Sequence, residues 1–311
     1  MKQSTTAQGI FLTTSASLLW GTVFVAIGIG LRYVDPYSLL FMRFLVSAIP
    51  IAIIGVLYEK RLHIFSHLKR PTVWFLALVY LLGFITQYSG QSMSDASDTT
   101  LISNMAPIMA PVGAYFLLKE RVSKPQVFGL ILGVVGLVFI ALPKLSSPSA
   151  GNSSALGDAL LFITSIAYTV FIVSGKKYGN GTFGESLALV FAMFVFTIPF
   201  PLYERFNPFS ISLGFTAWGS ILWAGIPCTL VAIMLYLVGL NKVSVTVSSM
   251  LLLLQVIFGL ILARLILSEN LSYLEGVGAI LIFVSVLLAS VRFRGTVTRK
   301  TERESEQRAM N

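Results

Sequence analysis

The chain has 311 residues, of which 56% are hydrophobic and only 11% are charged. A soluble domain of this length needs many more charged side chains to cover its surface, so the composition excludes an ordinary soluble protein. The net charge of +9 does not indicate a nucleic-acid partner, because the basic residues are scattered through short loops and concentrated in the C-terminal tail. The single cysteine, Cys228, excludes an intrachain disulfide and a cysteine-based metal site, and we expect no cofactor.

Apolar runs follow one another along nearly the whole chain. Roughly 20 apolar residues in a helix cross a ~30 Å hydrocarbon core. The sequence predicts ten such helices, spans one to ten, over residues 9–31, 37–57, 72–92, 99–118, 125–142, 158–177, 183–203, 215–240, 244–267 and 271–292. We therefore expect an all-α membrane protein with ten transmembrane helices.

The basic residues predict how these spans are oriented. With the N-terminus inside, seventeen of the 22 Lys and Arg residues lie in inner segments, three lie in outer loops, and Arg43 and Arg264 lie within spans. Because Lys and Arg are enriched on the cytoplasmic side, we expect both termini in the cytoplasm. The location predicted for this multi-pass protein is the cell membrane, inner or plasma.

The two halves of the chain resemble each other. Residues 21–25 (GTVFV) match residues 168–172 (YTVFI) at an offset of 147, and Glu120 matches Glu269 at an offset of 149. Each half has five spans, and an odd number makes the second half enter the membrane from the opposite side. The sequence therefore predicts two inverted five-helix repeats, which are characteristic of secondary transporters with a site near the midplane. The predicted divisions are a first repeat (1–142), an external linker (143–157), a second repeat (158–292) and a cytoplasmic polar tail (293–311).

Several short signatures occur in order along the chain. They are Trp20-Gly21, Phe41-Met42-Arg43-Phe44, Met105-Ala106-Pro107, Leu118-Lys119-Glu120-Arg121 and Leu156-Gly157-Asp158. With them the chain resembles the EamA family of the drug/metabolite transporter superfamily, over about residues 9–292. The resemblance implies a ten-helix basket around a central cavity, and export of amino acids, other metabolites or drugs, with uptake of small solutes in a few members. One departure is Gln255-Val256, where the family usually has Glu-Pro or a similar pair, so we expect the two halves to bend differently.

The resemblance also places spans five and ten at the periphery, as supporting or dimer-facing helices. The glycines at 129, 133 and 136 let span five approach a neighbour closely, either within a monomer or across a homodimer. Both oligomeric states stay open, and the expected partners are membrane lipids and a small-molecule substrate.

Polar and aromatic side chains within spans mark candidate substrate contacts, because polar groups in hydrocarbon tend to face a cavity. Trp20 and Tyr168 lie near mid-span at nearly equivalent repeat positions, and Gln255 is also near mid-depth. The predicted substrate-binding residues are Trp20, Tyr80, Gln87, Asn104, Tyr168 and Gln255. The alternative for each is helix–helix packing with hydrogen bonds between spans.

Two charged residues have candidate roles in binding or coupling. Arg43, the only charge deep in a span of the first half, either meets a substrate carboxylate or caps backbone carbonyls as a structural residue. Asp98, at the outer end of spans three and four, is the candidate for cation or proton coupling, the alternative being a solvated loop. Because no Asp or Glu lies deep in any predicted span, facilitated diffusion or exchange is as plausible as proton antiport.

These features favour a secondary transporter that exports amino acids or related amphiphilic metabolites by alternating access. Uptake of a small cationic or neutral solute, with or without proton coupling, stays open because the residues do not encode the direction. A channel needs a polar ring or a selectivity loop, and an intramembrane enzyme needs a catalytic constellation within the spans. Neither pattern is present in the sequence, so we expect no enzymatic activity.

Overall fold

The computed structural model describes residues 2–94, 102–145, 154–203, 213–266 and 272–291. All secondary structure in these ranges is helical, which confirms an all-α fold for this part of the chain. Seven helices in it are long and apolar enough to cross a membrane, and three shorter apolar helices, Ala106–Leu118, Phe183–Thr197 and Tyr273–Leu288, accompany them. The chain is therefore a helical multi-pass membrane protein. Asp98, most of the predicted linker and the predicted tail lie outside the described residues.

The described helices, in chain order, are α1 (Lys2–Gly30), α2 (Pro36–Leu62), α3 (Ile64–Leu68), α4 (Pro71–Met93), α5 (Ala106–Leu118), α6 (Lys124–Leu145), α7 (Ala155–Tyr178), α8 (Phe183–Thr197), α9 (Phe200–Tyr203), α10 (Phe215–Gly225), α11 (Ala232–Leu240), α12 (Val245–Leu252), α13 (Leu254–Ile266) and α14 (Tyr273–Val291). A π-helical segment, Ile226–Val231, joins α10 to α11. Three helix starts are fixed by side-chain caps, because the hydroxyls of Ser154, Thr182 and Ser244 each accept from the backbone N–H three residues further on.

Two predicted spans are less regular than the apolar pattern indicates. Span seven, predicted over 183–203, ends as α8 at Thr197, and Pro201 then lies in the first turn of the separate helix α9, where its missing N–H costs little. Span eight, predicted over 215–240, changes to π-helical geometry around Pro227. Proline lacks an N–H and its ring collides with the preceding turn, so the wider π turn accommodates it without ending the helix.

Spans four and nine are both interrupted by a turn. A turn at Asn104 and Met105 precedes α5, and a turn at Leu253 separates α12 from α13. Positions 104 and 253 are separated by the repeat offset of 149. Each break is tightened by a short-range bond: Met105 N donates to Ile102 O (3.1 Å), and Leu253 N donates to Met250 O (3.2 Å). The second half therefore breaks at the equivalent position although no proline follows it.

The helices pack in a pattern that repeats between the two halves. Helix α1 packs against α10, α11 and α13, and α7 packs against α4 and α5. In terms of the predicted spans, span one contacts spans eight and nine, and span six contacts spans three and four. If each span is replaced by the span five positions away in the chain, the contacts of span one with eight and nine become the contacts of span six with three and four. The pairs α2 with α8 and α6 with α14 map onto themselves under the same exchange.

Glycines permit the closest of these contacts. A Cβ atom on Gly90 in α4 would lie 3.0 Å from the carbonyl oxygen of Gly157 in α7. A Cβ atom on Gly239 in α11 would lie 3.1 Å from the carbonyl oxygen of Gly9 in α1. Gly90 and Gly239 are related by the offset of 149, so the two halves use the same device where their helices approach.

The glycine stripe of span five faces α14 in the same chain. A Cβ atom on Gly136 would lie 2.8 Å from Gly278 O, and one on Gly129 would lie 3.1 Å from Ser285 O. The stripe therefore serves packing within the monomer and does not itself indicate a homodimer.

Candidate functional site

A cavity lies at the centre of the bundle, bordered by α1, α2, α4, α5, α7 and the helices of spans eight and nine. The space open to the centres of water-sized molecules is about 70 Å³. One water needs about 10–15 Å³ on this measure, so the cavity holds a few waters or a compact solute in this conformation. Its wall is mostly aromatic and apolar, with a few polar groups that converge on it.

The structure brings most of the predicted site residues together around this cavity. Trp20, Tyr80, Gln87, Tyr168 and Gln255 all line it, and so does Arg43. Asn104 stands behind the wall, where its Oδ1 accepts a hydrogen bond from Gln255 Nε2 at 2.7 Å. That bond joins the break in span four to the first turn after the break in span nine.

One wall of the cavity is a cluster of aromatic rings. Tyr80 stacks on Phe171 with 3.8 Å between ring centroids and an interplanar angle of 8°. It also meets Tyr168 edge-on at 5.2 Å. The Tyr168 hydroxyl donates to Gln87 Oε1 at 2.6 Å, which fixes both side chains. The rings are therefore held in place by one another and by a hydrogen bond, and they present a rigid apolar surface to a ligand.

The wall around Trp20 depends on the π-helical segment. The Ala232 N–H donates to Pro227 O and Thr229 O rather than to Cys228 O, the acceptor it would have in a regular α-helix. The released Cys228 carbonyl accepts a hydrogen bond from Trp20 Nε1 at 2.9 Å. The Cys228 side chain is buried, and its backbone carbonyl is the group that orients the cavity wall.

Arg43 is buried, with 1% of its surface exposed, and its guanidinium is held by neutral groups. Nε donates to Thr229 Oγ1 at 2.6 Å, Nη1 donates to Tyr88 OH at 3.0 Å, and Nη2 reaches Cys228 O at 3.5 Å. The guanidinium carbon also lies 4.6 Å from the centroid of the Phe84 ring, within cation–π range.

No carboxylate among the described residues pairs with Arg43. The one ion pair in that part of the chain joins Arg70 Nη1 to Glu185 Oε1 at 2.8 Å. A guanidinium has five N–H donors, and the three bonds of Arg43 leave two for a ligand. A buried cation without a counter-ion is costly, and an anionic ligand group offsets that cost while taking up the remaining donors.

The structure adds three residues to the set predicted from sequence. Tyr236 lines the cavity and its ring lies 5.2 Å from that of Trp20, while Tyr88 and Thr229 hold Arg43. Tyr236 stands 149 positions after Gln87, so the repeat register contains the signal that identifies it. Tyr88 and Thr229 carry no comparable signal, because their roles depend on where Arg43 points.

The described residues contain no group of three or more His, Cys, Asp or Glu side chains arranged to hold a metal ion. Asp98 lies outside the described residues, so its predicted coupling role stays a prediction.

Comparison with known proteins points to one family. The EamA-like transporter family matches residues 7–142 and again residues 155–291. An uncharacterized transporter of Archaeoglobus fulgidus is 26% identical over 285 residues, which cover 88% of this chain and 94% of that protein. The uncharacterized transporter YoaV of Bacillus subtilis is 23% identical over 293 residues, which cover 90% of this chain and 95% of that protein. A solved crystal structure at 16% identity matches with a TM-score of 0.77 over 92% of this chain and 97% of that one, so the fold is shared.

Proposed function

Since this chain belongs to the EamA-like transporter family, we propose that it is a secondary transporter that carries a small molecule through the central cavity by alternating access. The observation that supports this most strongly is the position of the cavity beside two repeat-related helix breaks, linked by Gln255 and Asn104. Discontinuous helices of this kind form the substrate sites of transporters built from inverted repeats.

The proposed architecture is ten membrane crossings arranged as two inverted repeats, residues 1–142 and 158–292. Three observations support it: the family matches the chain twice, the helix pairs exchange with one another between the halves, and Gly90 and Gly239 make equivalent contacts. The distribution of Lys and Arg supports placing both termini in the cytoplasm. The cell membrane stays the proposed location.

For the substrate, we propose amino acids or related amphiphilic metabolites, with export as the direction. The free donors of Arg43 suit a carboxylate, and the rings of Tyr80, Tyr168 and Trp20 suit an aliphatic or planar side chain on the same molecule. The alternative, uptake of a small cation, is less compatible with a guanidinium in the cavity wall. Binding measurements with neutral solutes, and transport measurements in both directions, distinguish these alternatives from the proposal.

The proposal is tested by thermal-shift measurements on the detergent-purified protein. The panel contains neutral, aromatic and basic amino acids, quaternary amines, polyamines and nucleosides. A ligand at a hundredfold excess over its Kd stabilises the folded state by about 2.7 kcal/mol. We expect the melting temperature to rise for amino acids, and the rise to disappear in Trp20→Ala and Tyr168→Ala.

The matched control is Gly28→Ala, since a Cβ atom at Gly28 meets nothing within 4 Å. This variant should keep the whole response. A response to amines alone would contradict the carboxylate assignment and favour a cationic substrate.

A further inference from the structure

Buried hydroxyl groups cluster beside the cavity, between α1, α11 and α12. Thr13, Tyr236 and Ser248 are each at most 1% exposed. None of their hydroxyl oxygens has a partner in good hydrogen-bond geometry among the described residues, although the Tyr236 and Ser248 hydroxyls lie next to each other. Three unpaired hydroxyls in one place within an apolar bundle need an explanation, because burying such a group without a partner is costly.

These hydroxyls follow one another away from the cavity. Tyr236 lines the cavity, and its hydroxyl neighbours that of Ser248. One helical turn further along α11, the Thr13 hydroxyl faces Gly239, where an added Cβ atom would lie 2.6 Å from Thr13 Oγ1. Ser17 adds a hydroxyl on the same face of α1, which donates to Leu251 O at 2.9 Å. The cluster therefore runs from the cavity toward the end of the bundle where α1 begins and where α11 and α12 meet.

The repeat-related positions in the other half are arranged differently. Thr164, the counterpart of Ser17 at an offset of 147, shares a 2.8 Å hydrogen bond with the Thr86 hydroxyl. Gln87, the counterpart of Tyr236, accepts from the Tyr168 hydroxyl at 2.6 Å. On that side of the cavity these polar groups satisfy one another, and their helices are tied together.

The three buried hydroxyls form a place where water or a polar group of a solute can bind. Leaving polar groups unpaired at membrane depth is costly, and a water-filled space is one setting that satisfies them. Hydroxyl groups both donate and accept, which suits neutral water and the polar groups of a solute. Of the three residues, only Tyr236 has a described polar counterpart, Gln87, which is paired with Tyr168, since Thr13 corresponds to Leu160 and Ser248 to a position outside the described residues.

We propose that Thr13, Tyr236 and Ser248 line a hydrated passage between the cavity and the side of the membrane on which the N-terminus lies. Waters in this passage bond the three hydroxyls, and the polar groups of the substrate replace these waters as it enters or leaves. The proposal rests on the proposed transport function, since a passage of this kind serves a molecule that moves through the cavity.

Cysteine accessibility tests the passage directly. Cys228→Ser supplies a cysteine-free background, into which Ser248→Cys, Thr164→Cys and Ser66→Cys are introduced one at a time. Each protein is placed in membrane vesicles of known orientation and treated with a membrane-impermeant, charged thiosulfonate. Ser66 is exposed in α3 and reports the side on which the inner loops lie, whereas Thr164 is fully buried and partnered.

We expect Ser248→Cys to react from the same side as Ser66→Cys, at least about tenfold faster than Thr164→Cys does from that side. The proposal is overturned if Ser248→Cys reacts no faster than Thr164→Cys while Ser66→Cys is fully labelled. It is also overturned if Ser248→Cys reacts only from the opposite side.

Thermal stability gives a second test that does not depend on a reactive thiol. If the hydroxyls are dry, Thr13→Val and Ser248→Ala remove an unpaired buried group and raise the melting temperature. If the hydroxyls hold water, the same substitutions leave bound waters short of a partner, and the melting temperature stays level or falls. A rise in both variants contradicts the proposal. The ligand panel tests the proposed function through ligand binding, whereas cysteine labelling and the melting of the hydroxyl variants test the passage. A failure of one proposal can therefore be told from a failure of the other.

Discussion

Replacing Arg43 by Met separates a ligand-binding arginine from a structural one, because the two roles predict opposite outcomes. Methionine has a similar length and no charge. It abolishes the hydrogen bonds to Tyr88 and Thr229 and the contact with the Phe84 ring. It also removes from the bundle a cation that has no carboxylate partner among the described residues.

The effect on stability is a difference between two terms of similar size. Hydrogen bonds to a charged group contribute about 1.5–3 kcal/mol each, and a cation–π contact contributes about 0.5–2 kcal/mol. Burying a charge costs several kcal/mol, so exchanging a buried charge for an apolar side chain is often neutral or stabilising by about 1–4 kcal/mol. We expect the free energy of unfolding of Arg43→Met to stay within about 2 kcal/mol of the wild-type value.

In contrast to stability, ligand affinity is expected to change in one direction only, which is a decrease. If the two remaining donors of Arg43 hold the substrate carboxylate, their loss costs about 3 kcal/mol, or roughly a hundredfold in Kd. Arg43→Lys keeps the charge but lacks the planar fork of the guanidinium, so its Kd should lie between those of wild type and Arg43→Met. Isothermal titration in detergent with the ligand found by thermal shift measures both. A variant that melts far below wild type but binds with an unchanged Kd refutes the assignment.

The remaining predictions concern the cavity wall, the helix contacts and one titrating side chain. Trp20→Phe removes the indole N–H that bonds Cys228 O and should lower the free energy of unfolding by about 1 kcal/mol, seen as a lower melting temperature. Gly239→Val should cost about 1–3 kcal/mol through overpacking against α1, whereas Gly28→Val, with open space around it, should melt like wild type. Burial lowers the pKa of His67, in the loop helix α3, below 6.5. The unfolded chain therefore takes up this proton first, so the stability contributed by His67 is present above about pH 6.5 and is lost on acidification. His67→Gln should accordingly reduce the drop in melting temperature between about pH 7.5 and about pH 5.5, and an unchanged drop contradicts the assignment.

The positions of the helices could be predicted because the bilayer imposes a strong compositional rule. A run of about 20 apolar residues has few alternatives to a membrane helix, so most helix positions follow from hydropathy alone. Hydropathy does not predict the irregularities within the helices. Pro227 signals a disturbance but not that it takes π-helical form, and Leu253 carries no breaker residue at all. That break lies 149 positions after the turn at Asn104, and local propensity does not indicate it.

Residues of the cavity were predictable where span depth and repeat register constrained them. Span depth predicts Trp20, Tyr168 and Gln255 as cavity residues, because polar or aromatic groups at mid-span are costly unless they face a cavity or a partner, and all three line the cavity. Asn104 shows the limit of that reasoning, since the same rule does not distinguish a lining side chain from one that supports it. The sequence carries no signal for Thr229, because its role depends only on the direction of the Arg43 side chain.

The measurement that tests the central claim most directly is transport by the purified protein in proteoliposomes, using the solute identified by thermal shift. The comparison is between wild type and Ala106→Leu. Ala106 lines the cavity and is buried, so the larger side chain grows into the space where the substrate is proposed to bind. The account predicts saturable transport by wild type and its loss in Ala106→Leu, at an unchanged melting temperature. Transport by Ala106→Leu with the wild-type KM and maximal rate would contradict it, because the solute would then cross without using the cavity.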